Sequence, residues 1–251
     1  MENPLRAMAL YNWPEDFSFS DHREFLVELI NDAKVDPTKL IFNPGEKNKR
    51  TKSSTKAKTF RELLASADRF AGFEFCRPID GNYLNLETDM TCLIANYVKQ
   101  YGIANSPARL SVDDLLRHVT LVCKRITPQY GISHVMAPPS SAIFFLAGSG
   151  TSSMGQKNSK RSEAVGHYTT GRQIGNFSFN RLIDVFEFNV LNPAHLEREV
   201  FGQSLASWIR NNKRGKLVEI NSKVAVWLVP DDIRSLVRGI FFNAGLLEVE
   251  V

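Results

Sequence analysis

The stretch Lys216-Leu-Val-Glu-Ile-Asn-Ser-Lys-Val-Ala-Val-Trp-Leu-Val229 decides the fold class. Its first five residues have the composition of a strand, Asn221-Ser222 is typical of a tight turn, and Val224 to Val229 is a second strand without a charge. Three β-branched residues and a Trp in that second strand need cover on both faces. The pattern therefore predicts a hairpin whose second strand lies in the middle of a β-sheet.

The rest of the chain supplies further strands and the helices that would cover them. Helical spacing and end signals predict helices at 20–33, 60–71, 90–101, 111–126, 194–209 and 231–244. Residues 177–190 are ambiguous, since Phe186, Phe188 and Val190 alternate as in a strand while Leu182, Ile183 and Phe186 fit a helix, and we favour the helix. Strand composition and turn signals predict strands at 5–13, 39–42, 73–77, 82–86, 131–136, 141–147 and 246–251. We predict a single α/β (α+β) domain over residues 1–251, with a mixed central β-sheet of six to eight strands and about six packed helices.

Two of these helices have the most specific local signals. The segment Met90 to Tyr101 places apolar residues at helical spacing, and Gly102 follows it as a stop signal. Ser111 and Asp114 form a capping box that opens the next helix. We expect both segments to pack one apolar face on the sheet.

Composition indicates a globular protein without a membrane span. Of the 251 residues 43% are hydrophobic and 23% are charged. The longest apolar run, Ala142 to Ala147, is far shorter than the roughly 18 residues that cross a bilayer. No secretory signal is visible, and Cys76, Cys92 and Cys123 are unclustered, as reduced buried thiols are. These features favour a cytoplasmic protein.

The cationic excess belongs to one segment. Residues 47–58 contain six bases and no acid, whereas the rest of the chain has 25 bases against 27 acids. We predict mobile loops near 44–58 and 148–175, since both lack apolar periodicity. The candidate partner-binding residues are the six bases of the first loop: Lys47, Lys49, Arg50, Lys52, Lys56 and Lys58.

No stretch has the spacing of a catalytic or metal-binding motif. In Gly148-Ser-Gly-Thr-Ser-Ser-Met-Gly-Gln-Lys157, Gln156 separates the last Gly from the Lys, so the register of a phosphate-binding loop is lost. The five histidines are scattered, and no His-Glu-x-x-His or Cys-x-x-Cys is present. The acid pairs Asp113-Asp114 and Asp231-Asp232 stand at predicted helix starts, where they favour the helix dipole. We therefore expect no catalytic residues, no metal and no cofactor.

The order of elements resembles the larger α/β immunity proteins of bacterial polymorphic toxin systems. The features shared are the helix start Ser20-Asp21-His22, the Asn192-Pro193-capped helix ending in Ser207-Trp208-Ile209, the strand pair around Trp227, Pro230-Asp231-Asp232, and Gly245-Leu246-Leu247. The resemblance implies a non-enzymatic cytoplasmic protein that binds and neutralises one cognate toxin, as an antagonist of a secreted effector. Immunity proteins against nucleases are often acidic, and this chain, at +4, departs from that pattern.

Two other functions remain open. The basic loop 47–58 would suit a nucleic-acid-associated viral or phage protein, because bases that neutralise phosphates release counterions. However, no aromatic residue lies between those bases to stack on nucleotides. An enzyme with a site assembled from dispersed residues is the third possibility, and its pocket would include His134 or His167.

Overall fold

A computed structural model describes residues 4–13, 23–32, 39–43, 52–54, 72–78, 88–95, 100–136, 160–166, 181–211 and 213–248. The strands are β1 (Leu5–Tyr11), β2 (Lys39–Asn43), β3 (Lys52–Ser54), β4 (Gly72–Pro78), β5 (Thr88–Ala95), β6 (Gln100–Asn105), β7 (Tyr130–Met136), β8 (Phe188–Leu191), β9 (Glu199–Val200), β10 (Gln203–Ser204), β11 (Lys216–Asn221) and β12 (Val224–Leu228). The helices are α1 (Arg23–Asp32), α2 (Val112–Val122), α3 (Pro193–Glu197), α4 (Leu205–Asn211) and α5 (Asp231–Asn243), and residues 160–166 are also helical.

Ten of these strands form one sheet in the order β11-β12-β8-β7-β1-β6-β5-β4-β2-β3, and every pairing between them is antiparallel. β9 and β10 form a separate two-stranded hairpin. The predicted α+β class is confirmed. The sheet is larger than the six to eight strands expected, and among the described residues a parallel bridge between Leu182 and Leu247 lies outside the named strands.

Each face of the sheet is covered by its own set of helices. On the first face, Met8 and Leu10 of β1 pack in one core with side chains of α1 and α2. On the second face, Ala7 and Ala9 pack in another core with α4, α5 and the helical segment 160–166. Because successive residues of β1 point to opposite faces, a strand buried on both sides is apolar along its length.

The predicted hairpin at the C-terminal end is confirmed, but its place in the sheet differs from the prediction. β12 is buried on both faces, with Val226 in the first core and Trp227 in the second. Nevertheless β12 is the second strand from the end of the sheet, and β1 and β6 occupy the middle. Local composition indicates that both faces of a strand are buried, and it does not indicate the position of the strand in the sheet. Here α2, α4 and α5 cover β12 although it lies near one end of the sheet.

The helix predicted over 90–101 is wrong. Thr88 to Ala95 is β5, and the segment around Gly102 is β6, where Gly102 pairs with Ala9 and Leu93 instead of ending a helix. All six residues of β6 are buried. Closely spaced apolar residues of a strand can also satisfy helical spacing, so this pattern does not separate the two structures.

The helix predicted over 177–190 is also wrong where the chain is described. Residues 181–187 are irregular, residues 182–186 are buried, and β8 follows. Side chains form hydrogen bonds with the backbone groups of this segment, in place of the bonds that a helix would have provided. The Asn189 amide donates to the Phe186 and Trp227 carbonyl oxygens at 2.8 and 3.3 Å, and its oxygen accepts from the Phe186 amide at 3.1 Å. Such substitution satisfies buried backbone groups without secondary structure.

The helix predicted over 194–209 is interrupted. Asn192 caps α3 with Pro193 at its start, as predicted. The helix ends at Glu197, and the β9–β10 hairpin separates it from α4. Gly202, which lies inside the predicted helix, has a φ of +77° in the turn of that hairpin. A positive φ is incompatible with a continuous right-handed helix.

Other predictions have mixed outcomes. The capping box of Ser111 and Asp114 is present at the start of α2, and α5 begins at Asp231. The predicted mobile loops are partly ordered, since Lys52 to Ser54 pairs with β2 and residues 160–166 are helical. The predicted elements at 60–71, 82–86 and 141–147 lie outside the described residues. No described helix combines the length and apolar character that a membrane crossing requires.

Candidate protein-binding surface

The six predicted partner-binding bases are not brought together in the described part of the chain. Lys52 begins β3, at one end of the ten-stranded sheet. Lys47, Lys49, Arg50, Lys56 and Lys58 lie outside the described residues. The basic segment therefore stays a prediction. The opposite end of the sheet, where β11 lies, has a surface that the sequence did not single out.

A cleft of about 790 Å³ opens beside the β11–β12 hairpin. Its apolar lining comes from the end of β12, the two residues after it, the start of α5 and the first residue of α2. Its walls come from the α4–β11 loop and the first turn of α5. The apolar lining residues are Val112, Leu228, Val229, Pro230 and Ile233.

Charged side chains of both signs rim the cleft. Arg234 contacts Asp231 and lies 3.9 Å from Glu187, whereas Asp232, which also lines the cleft, is exposed and forms no ion pair with a described residue. Burial lowers the pKa of Arg234, as does the nearby Arg161 cation, although Glu187 raises it. On the opposite wall, Arg210 forms an exposed pair with Glu219 at 2.5 Å.

Two lysines of that wall have no such pairing. Lys213 and Lys216 both line the cleft and are exposed, and neither forms an ion pair with any residue that the structure describes. They belong to the segment Arg210-Asn-Asn-Lys-Arg-Gly-Lys216, which has four bases and no acid. The α5 wall therefore carries the exposed Asp232 beside paired charges, and the facing wall carries two lysines without an ion-pair partner among the described residues.

The loop that holds these lysines is fixed by close contacts. Gly215 has a φ of +101°, and a Cβ added there would lie 2.1 Å from the Leu228 carbonyl oxygen. The indole Nε1 of Trp227 donates to the Arg214 carbonyl oxygen at 2.7 Å. The Arg214 guanidinium lies 5.8 Å from the ring centre of Trp208, within the range of a cation–π contact. The backbone that presents Lys213 and Lys216 is thus pinned to the second core.

The β9–β10 hairpin adds an exposed aromatic ring to the same region. Its two-residue turn is Phe201-Gly202, with φ values of +50° and +77°, the arrangement of a type I′ turn. Phe201 is 66% exposed, the largest exposure among the large hydrophobic residues described. The side chain of Gln203 accepts a hydrogen bond from Asn211 at 3.2 Å, which joins the hairpin to the end of α4.

The free edge of β11 is poorly suited to pairing with another strand. Lys216 and Glu219 expose charges along the strand, and the pairing with β12 shifts register between Glu219 and Asn221. Charged side chains and bulges are the features by which proteins protect edge strands from strand addition. A partner at this end of the sheet would therefore contact the cleft, the α4–β11 loop with Lys213 and the Phe201 turn, rather than extend the sheet.

A polar chain on the first face has the residue types of a catalytic relay. The Asp32 carboxylate accepts from His118 Nδ1 at 2.6 Å, and the other ring nitrogen of His118 contacts the Tyr101 hydroxyl. Arg117 also donates to Asp32, at 2.7 Å. Burial would raise the pKa of Asp32, but the bonds and charges of His118 and Arg117 together lower it.

The hydrogen-bonded row of Asp32, His118 and Tyr101 lacks the access to substrate that catalysis requires. His118 is fully buried and Tyr101 is 1% exposed, so the hydroxyl at the end of the relay does not face solvent. A nucleophile must contact its substrate. The chain instead ties α1 and α2 to the middle of the sheet, which satisfies three polar groups in the core.

A second buried charge cluster lies on the second face. The Asp184 carboxylate is fully buried and accepts from Arg161 Nε at 2.6 Å, while Arg238 Nε lies 2.8 Å away on its other side. It also accepts from the Val185 amide at 2.8 Å. Asp184 thereby connects the helical segment 160–166 and α5 to the irregular residues 181–187 that precede β8.

Other residues that the sequence analysis considered as possible catalytic or metal-binding groups lie partly in the described part of the chain. His134 lies on β7 with its ring edge-to-face on Phe186 at 5.5 Å, as expected of a histidine packed on a sheet. Asp113 and Asp231 stand at helix starts. Among the described residues, no group of three or more His, Cys, Asp or Glu side chains could hold a metal ion. His167 and the glycine-rich stretch 148–157 lie outside those residues.

The surface at the β11 end could have been found only in part from the sequence. Four bases in seven residues mark the α4–β11 loop, but the larger basic segment 47–58 drew attention away from it. A Phe-Gly pair is compatible with a turn, yet the apolar spacing around it favoured a helix. The conformation of Phe201 is visible only once β9 and β10 are seen to pair.

The sequence matches no protein-family model and no curated protein. Among solved structures, the fold is similar to that of the Pseudomonas aeruginosa T6SS protein PA0821, with a TM-score of 0.56 and 12% sequence identity. The likeness covers 98% of this chain and 74% of the Pseudomonas chain. At this identity, the comparison establishes a shared fold.

Proposed function

We propose that this protein is a non-enzymatic antagonist that binds a secreted bacterial toxin and protects the cell that makes it. The observation that carries the proposal is the likeness, over 98% of the chain, to a protein described as belonging to the T6SS. Cells that deliver toxins to neighbours of their own kind need an inhibitor for each toxin, and a stable protein with a shaped surface suffices for that role.

The described surface supports this function. The cleft beside β11 is open, has an apolar floor and is bordered by fixed backbone and by Lys213 and Lys216. An apolar centre with a charged rim is the general anatomy of a protein–protein interface. The two polar clusters, in contrast, hold elements of the fold together and do not line this cleft.

A contact-dependent competition experiment tests the proposal. The gene for this chain would be deleted in its own host, and the deletion strain would be grown on a surface with unaltered siblings under conditions in which toxin delivery is verified. We expect the deletion strain to lose at least tenfold in viable cells. A plasmid copy of the gene in the deletion strain, or loss of the delivery apparatus in the siblings, should restore its survival.

Equal survival of the deletion strain and the unaltered strain during verified toxin delivery would contradict the proposal. So would protection by a chain that does not associate with any delivered toxin. The second outcome would favour an enzyme that repairs or modifies the toxin's target.

A further inference from the structure

We infer that Phe201 and the cationic pair Lys213 and Lys216 form the toxin-contacting surface, and that they fit an acidic protein face with an apolar socket for the Phe201 ring. This inference rests on the proposed function and assigns its contact residues. It combines a strained exposed aromatic, a free positive charge and a rigid backbone beneath both.

Phe201 occupies a position that folding alone would not assign to it. The first central residue of a type I′ turn needs a positive φ, for which Asn, Asp and Gly are favoured. A bulky residue in that conformation is an outlier and costs free energy. With 66% of its surface exposed, the Phe201 ring gives back little of that cost by burial. Strained residues of this kind cluster at binding and catalytic sites.

Lys213 also has a positive φ, at the C-terminal end of α4, where the Arg214 amide donates to the Ile209 carbonyl oxygen at 3.2 Å, so its conformation also serves to end the helix. Its φ is +50°, it is exposed, and it lines the cleft. In the described chain, the only other residue besides glycine with a positive φ is Asn12, a type that tolerates this conformation. The two strained, exposed side chains thus flank one seven-residue helix.

The two features belong to one surface. Gln203, two residues after Phe201, accepts a hydrogen bond from Asn211, two residues before Lys213. This contact holds the hairpin against the end of α4, where the α4–β11 loop begins. From there, Lys213 and Lys216 extend the surface into the cleft.

The charge of this surface indicates the chemistry of its partner. Arg210 is paired with Glu219 and Arg214 lies over Trp208, so Lys213 and Lys216 supply the positive charge that this wall offers to a partner, with the Asp232 carboxylate on the facing wall. Acidic residues on a partner would neutralise these lysines and speed its association. An aromatic ring beside them would supply the buried anchor that usually dominates binding energy.

Two variants test the surface in the competition assay. Phe201→Asn removes the anchor and gives the turn a favoured residue, so it should fold at least as stably as the unaltered chain. The double variant K213E/K216E reverses the free charge. Plasmid copies of either variant in the deletion strain should protect at least tenfold fewer cells than the unaltered chain.

Matched controls separate this surface from general effects. Phe242→Asn removes another exposed ring, which is 42% exposed on α5. Lys223→Glu reverses an exposed lysine at the far end of the β11 hairpin. Both controls should protect as well as the unaltered chain. Urea denaturation and immunoblots of all variants would verify that they are folded and present at equal levels.

The outcomes separate this inference from the proposed function. If the deletion strain survives among its siblings, the function fails and the surface assignment fails with it. If the deletion strain dies but Phe201→Asn or K213E/K216E protects it fully, only the surface assignment is overturned. Equal loss in the Phe242→Asn control would also overturn it, since any exposed ring would then serve.

Discussion

The two faces of the sheet each bury a charged cluster, and the clusters differ in their access to water. On the first face, Asp32 is 16% exposed and Arg117 is 52% exposed, so the chain that ends at Tyr101 begins at the surface. On the second face, Asp184 is fully buried between Arg161 and Arg238. Water can replace a lost partner in the first cluster, whereas in the second it cannot without opening the core.

This difference separates the stabilising role of each cluster from the binding role of the β11 end. A carboxylate without solvent contact requires fixed cationic partners, and Asp184 has two. His118 is bonded to the Asp32 carboxylate, which reaches the surface, so small rearrangements can preserve a hydrogen bond to the His118 ring. Neither cluster opens into the cleft lined by Lys213 and Lys216, so changes to the clusters should alter stability and leave binding intact.

The largest expected effect comes from Asp184→Ala. Removing the carboxylate leaves two guanidinium groups facing each other in the second core, and breaking a buried pair costs about 3–5 kcal/mol. Urea denaturation of purified protein at pH 7.5 would measure the loss.

Asp231→Ala is the matched control for this change, because its carboxylate is 85% exposed and also contacts an arginine. Exposed pairs contribute little, so the control should unfold at nearly the same urea concentration as the unaltered protein. A loss below about 1 kcal/mol for Asp184→Ala, the range of exposed pairs, would show that water reaches the second cluster.

The next effect is an acid sensitivity of the second face through His195. Burial, with a smaller effect of the Arg198 cation, lowers the pKa of His195 to about 4. The unfolded chain therefore takes up a proton near pH 6.5, and the folded chain does so only near pH 4. Stability from neutral His195 is complete above pH 6.5 and falls as the pH drops toward 4, by on the order of 3 kcal/mol.

Unfolding free energies at pH 7.5, 6.0 and 5.0 would measure this dependence, with His195→Gln as the comparison. The variant should be less stable at pH 7.5, because it loses the stacking of the imidazole on Tyr130 at 5.3 Å. It should also lose less stability on acidification than the unaltered protein. Identical pH slopes would rule out His195 as the source.

A smaller effect is expected for Asp32→Ala on the first face. The variant leaves His118 without its acceptor, and an unsatisfied buried polar group costs about 1–3 kcal/mol. Because the pKa of Asp32 is lowered in the folded state, its contribution is present at pH values above about 4 and declines as the pH falls further. The difference between Asp32→Ala and the unaltered protein should therefore shrink between pH 5 and pH 3.

Urea titrations at those two pH values would measure both quantities. Tyr101→Phe is the companion variant, since it removes only the hydroxyl that contacts His118. A loss for Asp32→Ala as large as that for Asp184→Ala would remove the distinction between the two faces. Loss of protection in the competition assay by a folded Tyr101→Phe protein would instead favour an enzymatic role for this chain.

The sequence predicted those parts of the molecule that depend on neighbouring residues. The capping box of Ser111, the Asn192-Pro193 helix start and the β11–β12 hairpin are set by short-range hydrogen bonding and local composition. Residues 90–101, which contain most of β5 and the start of β6, were mistaken for a helix because closely spaced apolar residues of a strand can also satisfy helical spacing. The length of the sheet was underestimated for the same reason.

The sites depended on contacts that spacing does not report. Tyr101 and His118 meet because β6 lies under α2, and Asp184 meets Arg238 because α5 crosses the second face. The sequence also places Phe201 within an apolar spacing typical of a helix, although it forms a turn. A residue held in a strained conformation satisfies no local preference, so local preference cannot predict it.

The smallest expected effect tests how firmly α2 covers the first face. The Ser111 hydroxyl accepts from the Asp114 amide at 3.2 Å, and Asp114 accepts from the Ser111 amide at 3.0 Å. Ser111→Ala removes one half of this box and should cost about 1 kcal/mol by urea denaturation. Ser111→Asp, which restores an accepting oxygen but places it beside the Asp114 carboxylate, should recover only part of the loss. An equal or greater loss in Ser111→Asp would mean that repulsion between the two carboxylates outweighs the restored cap, whereas full recovery would mean that the cap alone sets the stability of this end of α2.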